Sequence, residues 1–350
     1  MPVSDMPPED QPKLLAKLAN QALCLWDLPP AASAKLINVS ENSTYLVKTP
    51  AKERFILRIH RQNYHSQRAI ECELEWKTAL GSANIVTTPR HYLGKNGKAI
   101  QSGHVTGLAS PRFMVLFEYL KGSPPDEKGD LFASFEELGE IAARLHNHSL
   151  TWPKPANFER LSWDIDAIFG PRPTWGNWRH APGVDAQIAT ILEQVEKTIR
   201  HRLQTFGKNA KNHGLIHADM RLANLLINDN RTQLIDFDDC GFGWFLYDFA
   251  AAVSFMEDDP RIQALKAVWV RGYRKERDLS AAEETEIDSF IMLRRMALLA
   301  WIGSHKEAPE PQALAPHFAR ITAELGHNYL ERFSNSARAR CVQVESERML

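Results

Sequence analysis

The chain has 350 residues, 44% of them hydrophobic and 24% charged. Its 42 Lys and Arg against 43 Asp and Glu leave a net charge of −1, which excludes the strong field of a nucleic-acid binder or an anionic-membrane binder. That length exceeds one small core and suits a two-lobed domain or two packed domains.

Residues 1–10 read as a flexible leader; the opening MPVSDMPPEDQPK is polar, acidic and Pro-rich, unlike a signal peptide. A short helix follows at about 12–25. Two β-rich runs, AKLINVSENSTYLVKT (34–49) and RFILRIHR (54–61), flank the turn cluster 49–53 and predict a hairpin. RAIECELEWKTAL (68–80) predicts a helix with Gly81 as its C-cap. Strand signals recur at 90–101 and at RFMVLFEYL (112–120). The Gly/Pro/charge-rich connector 121–130 marks a lobe boundary.

After it, SFEELGEIAARLHNHSL (134–150) predicts a helix that opens on a Ser134/Glu137 capping box. The segment 152–180 is rich in Trp and Pro, a long helix fits 184–206, and 213–243 reads as loop and short strands. The remainder to 332 is mostly helical, with a loosely ordered tail at 334–350. The most apolar stretch, 244–256, is too short to span a bilayer and contains Asp248. Cys24, Cys72, Cys240 and Cys341 form no CxxC pair or metal-ligand spacing, which suggests a reducing compartment and a cytoplasmic protein. No G-x-S-x-G elbow, Rossmann fingerprint or Walker A loop occurs, and His146 and His148 do not share a helix face.

The chemistry concentrates in HGLIHADMRLANLLINDNRTQLIDFDDCGFGW (213–244). Short apolar strands at 225–227 and 233–237 flank a turn. A turn centred near Asn230 sets Asn224 opposite Asp236, with Cβ atoms roughly 5 Å apart. One amide oxygen and one carboxylate so placed suit Mg²⁺ whose shell is completed by phosphates. Asp219 lies on the incoming loop, five residues before Asn224. Asp238 lies two past Asp236 and would face the same side of a strand.

This H-x-D-x-x-x-x-N, hairpin, D-x-D order resembles kinase catalytic loops. HADMRLANLL and LIDFDD in particular resemble the aminoglycoside phosphotransferase/choline kinase superfamily, which includes type II homoserine kinases and the bacterial stress response kinase. The resemblance implies an α+β, two-lobed protein-kinase-like fold. A β-rich nucleotide-binding lobe would span 1–120, and a mainly helical catalytic and substrate lobe 121–350. It also implies ATP and Mg²⁺ as cofactors and transfer of the γ-phosphate to a hydroxyl of a small amine- or amino-acid-like substrate, with no nucleic-acid or membrane partner.

Carried over by position, Asp219 receives or orients the hydroxyl, Asn224 and Asp236 hold the metal, and His217 braces the loop; Asp238, from its strand spacing, is added as a third metal ligand. Asp248 opens the next helix. On the nucleotide side, Arg58 stands where the family's strand places a Lys, with Glu73 as its helix partner ahead of Glu71 and Glu75. Ser40, Asn42 and Ser43 form the turn over the phosphates; Glu118 and Leu120 form the hinge toward adenine. Trp163, Trp175 and Trp178, mixed with Arg172, Arg179, Asp164 and Asp166, read as a substrate cage or as packing. Two other readings remain: a protein Ser/Thr kinase like the stress response kinase, suggested by RRMALLAWIG (294–303), and a nucleotide-binding pseudokinase, suggested by Arg58.

Overall fold

The computed structural model describes residues 10–229 and 231–347, with side chains for 11–229 and 231–333. The expected leader therefore lies outside the described residues apart from Asp10, as do 348–350 of the expected tail. In chain order the structure runs α1 (Asp10–Ala22), β1 (Ser33–Val39), β2 (Ser43–Lys48), β3 (Arg54–Ile59), α2 (Gln67–Ser82), β4 (His91–Tyr92), β5 (Gln101–Gly103) and β6 (Arg112–Glu118). It continues with α3 (Phe132–Thr151), β7 (Leu161–Trp163), α4 (Ile165–Phe169), α5 (Ala186–Phe206), β8 (His213–Ile216), β9 (Leu225–Asn228), β10 (Arg231–Leu234) and β11 (Gly241–Trp244). The helices α6 (Tyr247–Ala252), α7 (Ile262–Glu276), α8 (Ala281–Ser304) and α9 (Pro309–Glu347) close the chain. The result is the mixed architecture expected, an antiparallel sheet followed by a helical part. Helix α9 runs on through the segment expected to be loose.

Two compact units divide the chain. The first holds Met1–Pro124, Trp152–Arg160 and Leu225–Asp238; the second holds Pro125–Thr151, Leu161–Asn224 and Asp239–Leu350. The break after Pro124 falls inside the 121–130 connector, whereas 152–160 and 225–238 return to the first unit from beyond it.

The first unit is built on an antiparallel sheet ordered β1-β2-β3-β6-β4, with β5 also paired to β6. Leu15, Leu18, Ala19 and Ala22 of α1 recur at helical spacing and pack on Tyr45, Val47, Leu57, Ile59, Met114 and Leu116. The alternating residues face the other way, where Ile70 and Leu74 of α2 meet Val115 and Phe117. Arg58 lies between Leu57 and Ile59 and pairs with Val115, so strand alternation turns it toward α2.

Three local expectations change here. The run 34–49 is two strands, broken at 40–42 and bulged between Leu36 and Asn38. Helix α2 continues past Gly81 and closes at Ala83, because nothing at Gly81 demands a left-handed backbone. The β9–β10 ladder pairs Asn228 with Arg231 and ends at Leu225 with Leu234. This register, continued, sets position 224 against 235, so Asn224 and Asp236 are not ladder partners. The connecting loop is two residues long, which moves the turn centre half a step from Asn230. Residues 235–237 have left the strand, and Asp236 has φ +60°, so strand alternation does not orient Asp238. Ser123 exchanges backbone hydrogen bonds with Ile227, 3.2 and 2.8 Å, fastening this hairpin to the 121–124 segment. Gly122 makes that approach possible: its φ is +141°, and a Cβ there would lie 2.9 Å from the Ile227 carbonyl oxygen.

In the second unit β7, β11 and β8 form a small sheet, β7 parallel and β8 antiparallel to β11. Helices α3 and α7 pack backbone to backbone, because a Cβ on Gly139 would run into the Trp269 carbonyl and one on Gly272 into that of Glu136. Helix α3 starts two residues before Ser134, and Asp130 Oδ1 accepts from the Phe132 amide at 2.9 Å, so the expected Ser134/Glu137 box does not form. Helix α8 has a capping box instead, Ser280 with Glu283, and is buried continuously from Ile287 to Ile302. Among the described residues no helix is long and apolar enough to cross a membrane.

Candidate active site

In the first unit, Arg58 reaches Glu73 with Nη2, at 2.6 and 2.5 Å from the two carboxylate oxygens. Its Nη1 lies 3.3 Å from Asp236 Oδ1 and 3.6 Å from Asp238 Oδ1. Arg58 is 6% exposed and Glu73 fully buried. Burial opposes the Arg58 charge, but Glu73, Asp238 and Asp236 outweigh it and raise its pKa. Of the three acids on α2, Glu71 and Glu75 bind Arg68 instead, at 3.3 and 2.9 Å, leaving Glu73 to Arg58.

Asp236 and Asp238 differ sharply. The Asp236 side chain is 44% exposed, whereas that of Asp238 is 7% exposed and lies 3.4 Å from His65 Nε2 and 3.6 Å from His60 Nδ1. Burial pushes the Asp238 carboxyl up, but His65, Arg58 and His60 hold it well below the usual carboxylate range. Burial, and then the Arg58 charge, take His60 down to about 3, so it is a neutral imidazole.

A cavity of about 240 Å³ borders Arg58 and Asp236. Its walls are apolar (Ile37, Ile56, Phe117, Leu226 and Ile235), and Glu118, Leu120 and Gly122 form part of its lining. That shape and polarity suit a planar heterocycle. Glu118 binds Arg90 through both its carboxylate and its amide N–H, the latter donating to Arg90 O at 2.8 Å. Ser40, Asn42 and Ser43 do not line this cavity. Asn42 turns inward, its Oδ1 accepting from the Arg61 amide at 3.0 Å, and Ser43 is buried in β2 opposite Ile59. Lys77, which sequence reading missed, lines the cavity with its ammonium 4.0 Å from the Phe117 ring centroid. Its signal was available: it stands four residues after Glu73, on the same helix face.

In the second unit the loop 217–224 is held from behind. Asp248, fully buried at the start of α6, accepts from the His217 amide at 3.2 Å and the Ala218 amide at 2.7 Å. His146 Nε2 binds the same carboxylate at 2.9 Å, and its Nδ1 meets the Tyr273 hydroxyl. This clamp keeps Ala218 at φ +65°, a conformation that costs a residue with a Cβ about 1–2 kcal/mol. His217 Nδ1 accepts from the Asp219 amide at 3.2 Å, the bracing role expected of it.

The strained turn presents Asp219. Its Oδ2 accepts from Asn224 Nδ2 at 2.6 Å, and Asn224 also binds its carbonyl at 2.9 Å. Its Oδ1 accepts from Arg294 Nη2 at 2.8 Å, and Arg221 Nε lies 3.6 Å from Oδ2. Both of these Asn224 bonds use its NH₂, and its amide oxygen is an acceptor. Arg294 comes from the buried α8, with its guanidinium 5.0 Å from the Trp175 ring and 5.8 Å from the Tyr247 ring. Its Nη1 is buried without a hydrogen-bond partner. Sequence reading placed no function on Arg294; it lies 75 positions from Asp219, beyond any local spacing.

The Trp-rich segment is packing rather than cage. Trp163, Trp175 and Trp178 are 0, 6 and 2% exposed, and Trp178 Nε1 donates to Glu196 at 3.0 Å. Asp164 caps α4 and pairs with Lys208, Arg179 pairs with Glu193 and Glu196, and Arg172 and Asp166 point outward. Among the described residues no three His, Cys, Asp or Glu converge as a metal set.

Comparison with known proteins gives the family. The phosphotransferase enzyme family matches residues 33–283. The structure of a microcompartment-associated aminopropanol kinase is 42% identical, with a TM-score of 0.82 over 90% of this chain and 97% of that one. An amicoumacin kinase from Bacillus subtilis (strain 168) is 24% identical over 257 residues, 70% of this chain and 72% of its own. The structure of an amicoumacin kinase in complex with AMP-PNP, Ca²⁺ and Ami shares the fold at 19% identity, with a TM-score of 0.70 over 87% of this chain and 91% of that one. The chain belongs to the phosphotransferase enzyme family.

Proposed function

We propose that this phosphotransferase moves the γ-phosphate of Mg·ATP to the hydroxyl of a small amino alcohol, with Asp219 as the group that orients and receives the hydroxyl proton. The observation that carries the chemistry is the Asp219 carboxylate, fixed by Asn224 and Arg294 at 2.6 and 2.8 Å on a turn clamped by Asp248. Hydrogen bonds and an adjacent guanidinium hold such a carboxylate in one orientation. The substrate class rests on the 42% identity to the aminopropanol kinase.

The residues fit a divalent cation. Asp236 presents an exposed carboxylate in the first unit and Asn224 an amide group in the second; each offers a hard oxygen donor of the kind Mg²⁺ takes, an ion that binds one or two carboxylates and fills its shell with phosphates. When bound, the ion would offset phosphate charge. Asp238, proposed from sequence as a third ligand, is better used where it lies, holding Arg58, His60 and His65. Arg58, kept charged by Glu73, is the proposed phosphate contact in place of a Lys; its planar fork can engage two oxygens. Glu118 and Leu120 border the proposed adenine cavity, while Ser40 and Ser43 keep a backbone role beside the phosphates. Phosphoryl transfer then needs mainly position and charge.

ATP consumption with 1-amino-2-propanol, ethanolamine, choline, homoserine, threonine, kanamycin and a generic protein substrate separates the options. The amino alcohols should give the highest kcat/KM. Phosphorylation of protein serine with none of the small alcohols would overturn the substrate class.

A further inference from the structure

A second cavity, of about 520 Å³, lies in the first unit between the end of β3 and the start of β6 and shares no lining residue with the proposed nucleotide cavity. Arg61, Arg112, His60, His65, Gln62 and Ser110 contribute to its wall, and no carboxylate does. Arg112 is 5% exposed, yet its bonds go to neutral oxygens: Gln62 Oε1 at 3.0 Å, Ser110 Oγ at 2.9 Å and the Ser110 carbonyl at 3.4 Å. Among the described residues no acid pairs with it, and burial lowers its pKa. A buried guanidinium without a counter-charge costs several kcal/mol, so its retention asks for an explanation. His60 is 3% exposed, and neither ring nitrogen has a hydrogen-bond partner; His65 Nε2 lies 3.4 Å from Asp238 Oδ2.

We infer that this cavity is a binding site for a small phosphate-bearing anion, separate from the nucleotide. The Arg112 guanidinium, bonded only to neutral oxygens, can give a phosphate group a charge-assisted partner, with Arg61 on the same wall. The neutral His60 imidazole can donate one further N–H without adding charge. His60 and His65 both face Asp238, and Asp238 faces Arg58, so an occupant here is connected through Asp238 to the cation proposed to meet ATP.

Thermal denaturation of the full chain at constant ionic strength tests the site, using inorganic phosphate or O-phosphoethanolamine against chloride. At ten times its dissociation constant the bound phosphate should raise Tm by about 2 °C. Arg112→Gln and Arg61→Gln should each lose that rise, and Arg90→Gln, an exposed arginine of the same unit, should keep it. A larger rise with the ester than with inorganic phosphate would mean that the site reads a phosphorylated metabolite; equal rises would mean that it reads the phosphate group alone. The absence of a phosphate-specific rise in the wild type would overturn the inference. So would an undiminished rise in both Arg112→Gln and Arg61→Gln; the second variant keeps the test decisive if the first fails to fold.

Discussion

Asp219 is held by two groups with different histories in the chain. Asn224 is five residues away, and the H-x-D-x-x-x-x-N spacing already pairs them. Arg294 arrives from α8, a helix buried continuously from Ile287 to Ile302, and nothing local in the sequence links its charge to the loop. The same contrast separates Glu73, readable from its position on α2, from Lys77, which follows one turn later and was passed over. Losing a charge-assisted bond of about 1.5–3 kcal/mol should cost turnover roughly one to two orders of magnitude. Arg294→Ala should therefore lower kcat about 10–100-fold with little change in KM for ATP, and Arg294→Lys should recover part of it. Unchanged kcat in Arg294→Ala would make the contact purely structural.

At the scale of elements, the loop owes its shape to three helices. Asp248 on α6 accepts two loop amides, and His146 on α3 joins that carboxylate to Tyr273 on α7. Burial lowers the His146 pKa, with the Asp248 hydrogen bond opposing it, so the folded state keeps this ring neutral. The unfolded ring titrates near 6.5 and binds more protons below that pH, so the His146 contribution to stability falls as pH falls through 6.5. Tm measured from pH 8 to 5 should drop more steeply in the wild type than in His146→Gln, with the curves converging at the acid end. Parallel curves would remove His146 from the pH response. The existence of the longer helices was legible, as for α2 and α5, although the end of α2 was placed early at Gly81. Boundaries were misread where a neighbouring side chain or the turn itself decided them: Asp130 starts α3 early, and the β9–β10 register is shifted from the expected centre.

Across the whole molecule, chain order concealed how the parts are shared. Residues 225–238 were assigned by position to the C-terminal lobe, yet they belong to the first unit, where Ser123 and Thr87 bind their backbone. Arg58, Glu73 and Asp236 thus lie in one unit, and Asp219, Asn224 and Arg294 in the other. Such long-range partnerships leave no periodic mark in sequence; the motif residues were found because their spacing within each loop is fixed. The division separates two readouts. Asp236→Ala should abolish the rise in Tm that Mg·AMP-PNP gives the wild type while leaving the ligand-free Tm within about 1–2 °C. A full nucleotide-dependent rise in that variant would remove Asp236 from the metal site. Asp219 calls for the complementary test, in which binding survives and chemistry does not. ADP release with 1-amino-2-propanol as acceptor, measured for Asp219→Asn beside the wild type, should show kcat reduced at least 10³-fold with the Mg·AMP-PNP shift in Tm intact; turnover within tenfold of the wild type would contradict the assignment of Asp219 as the group that receives the hydroxyl proton.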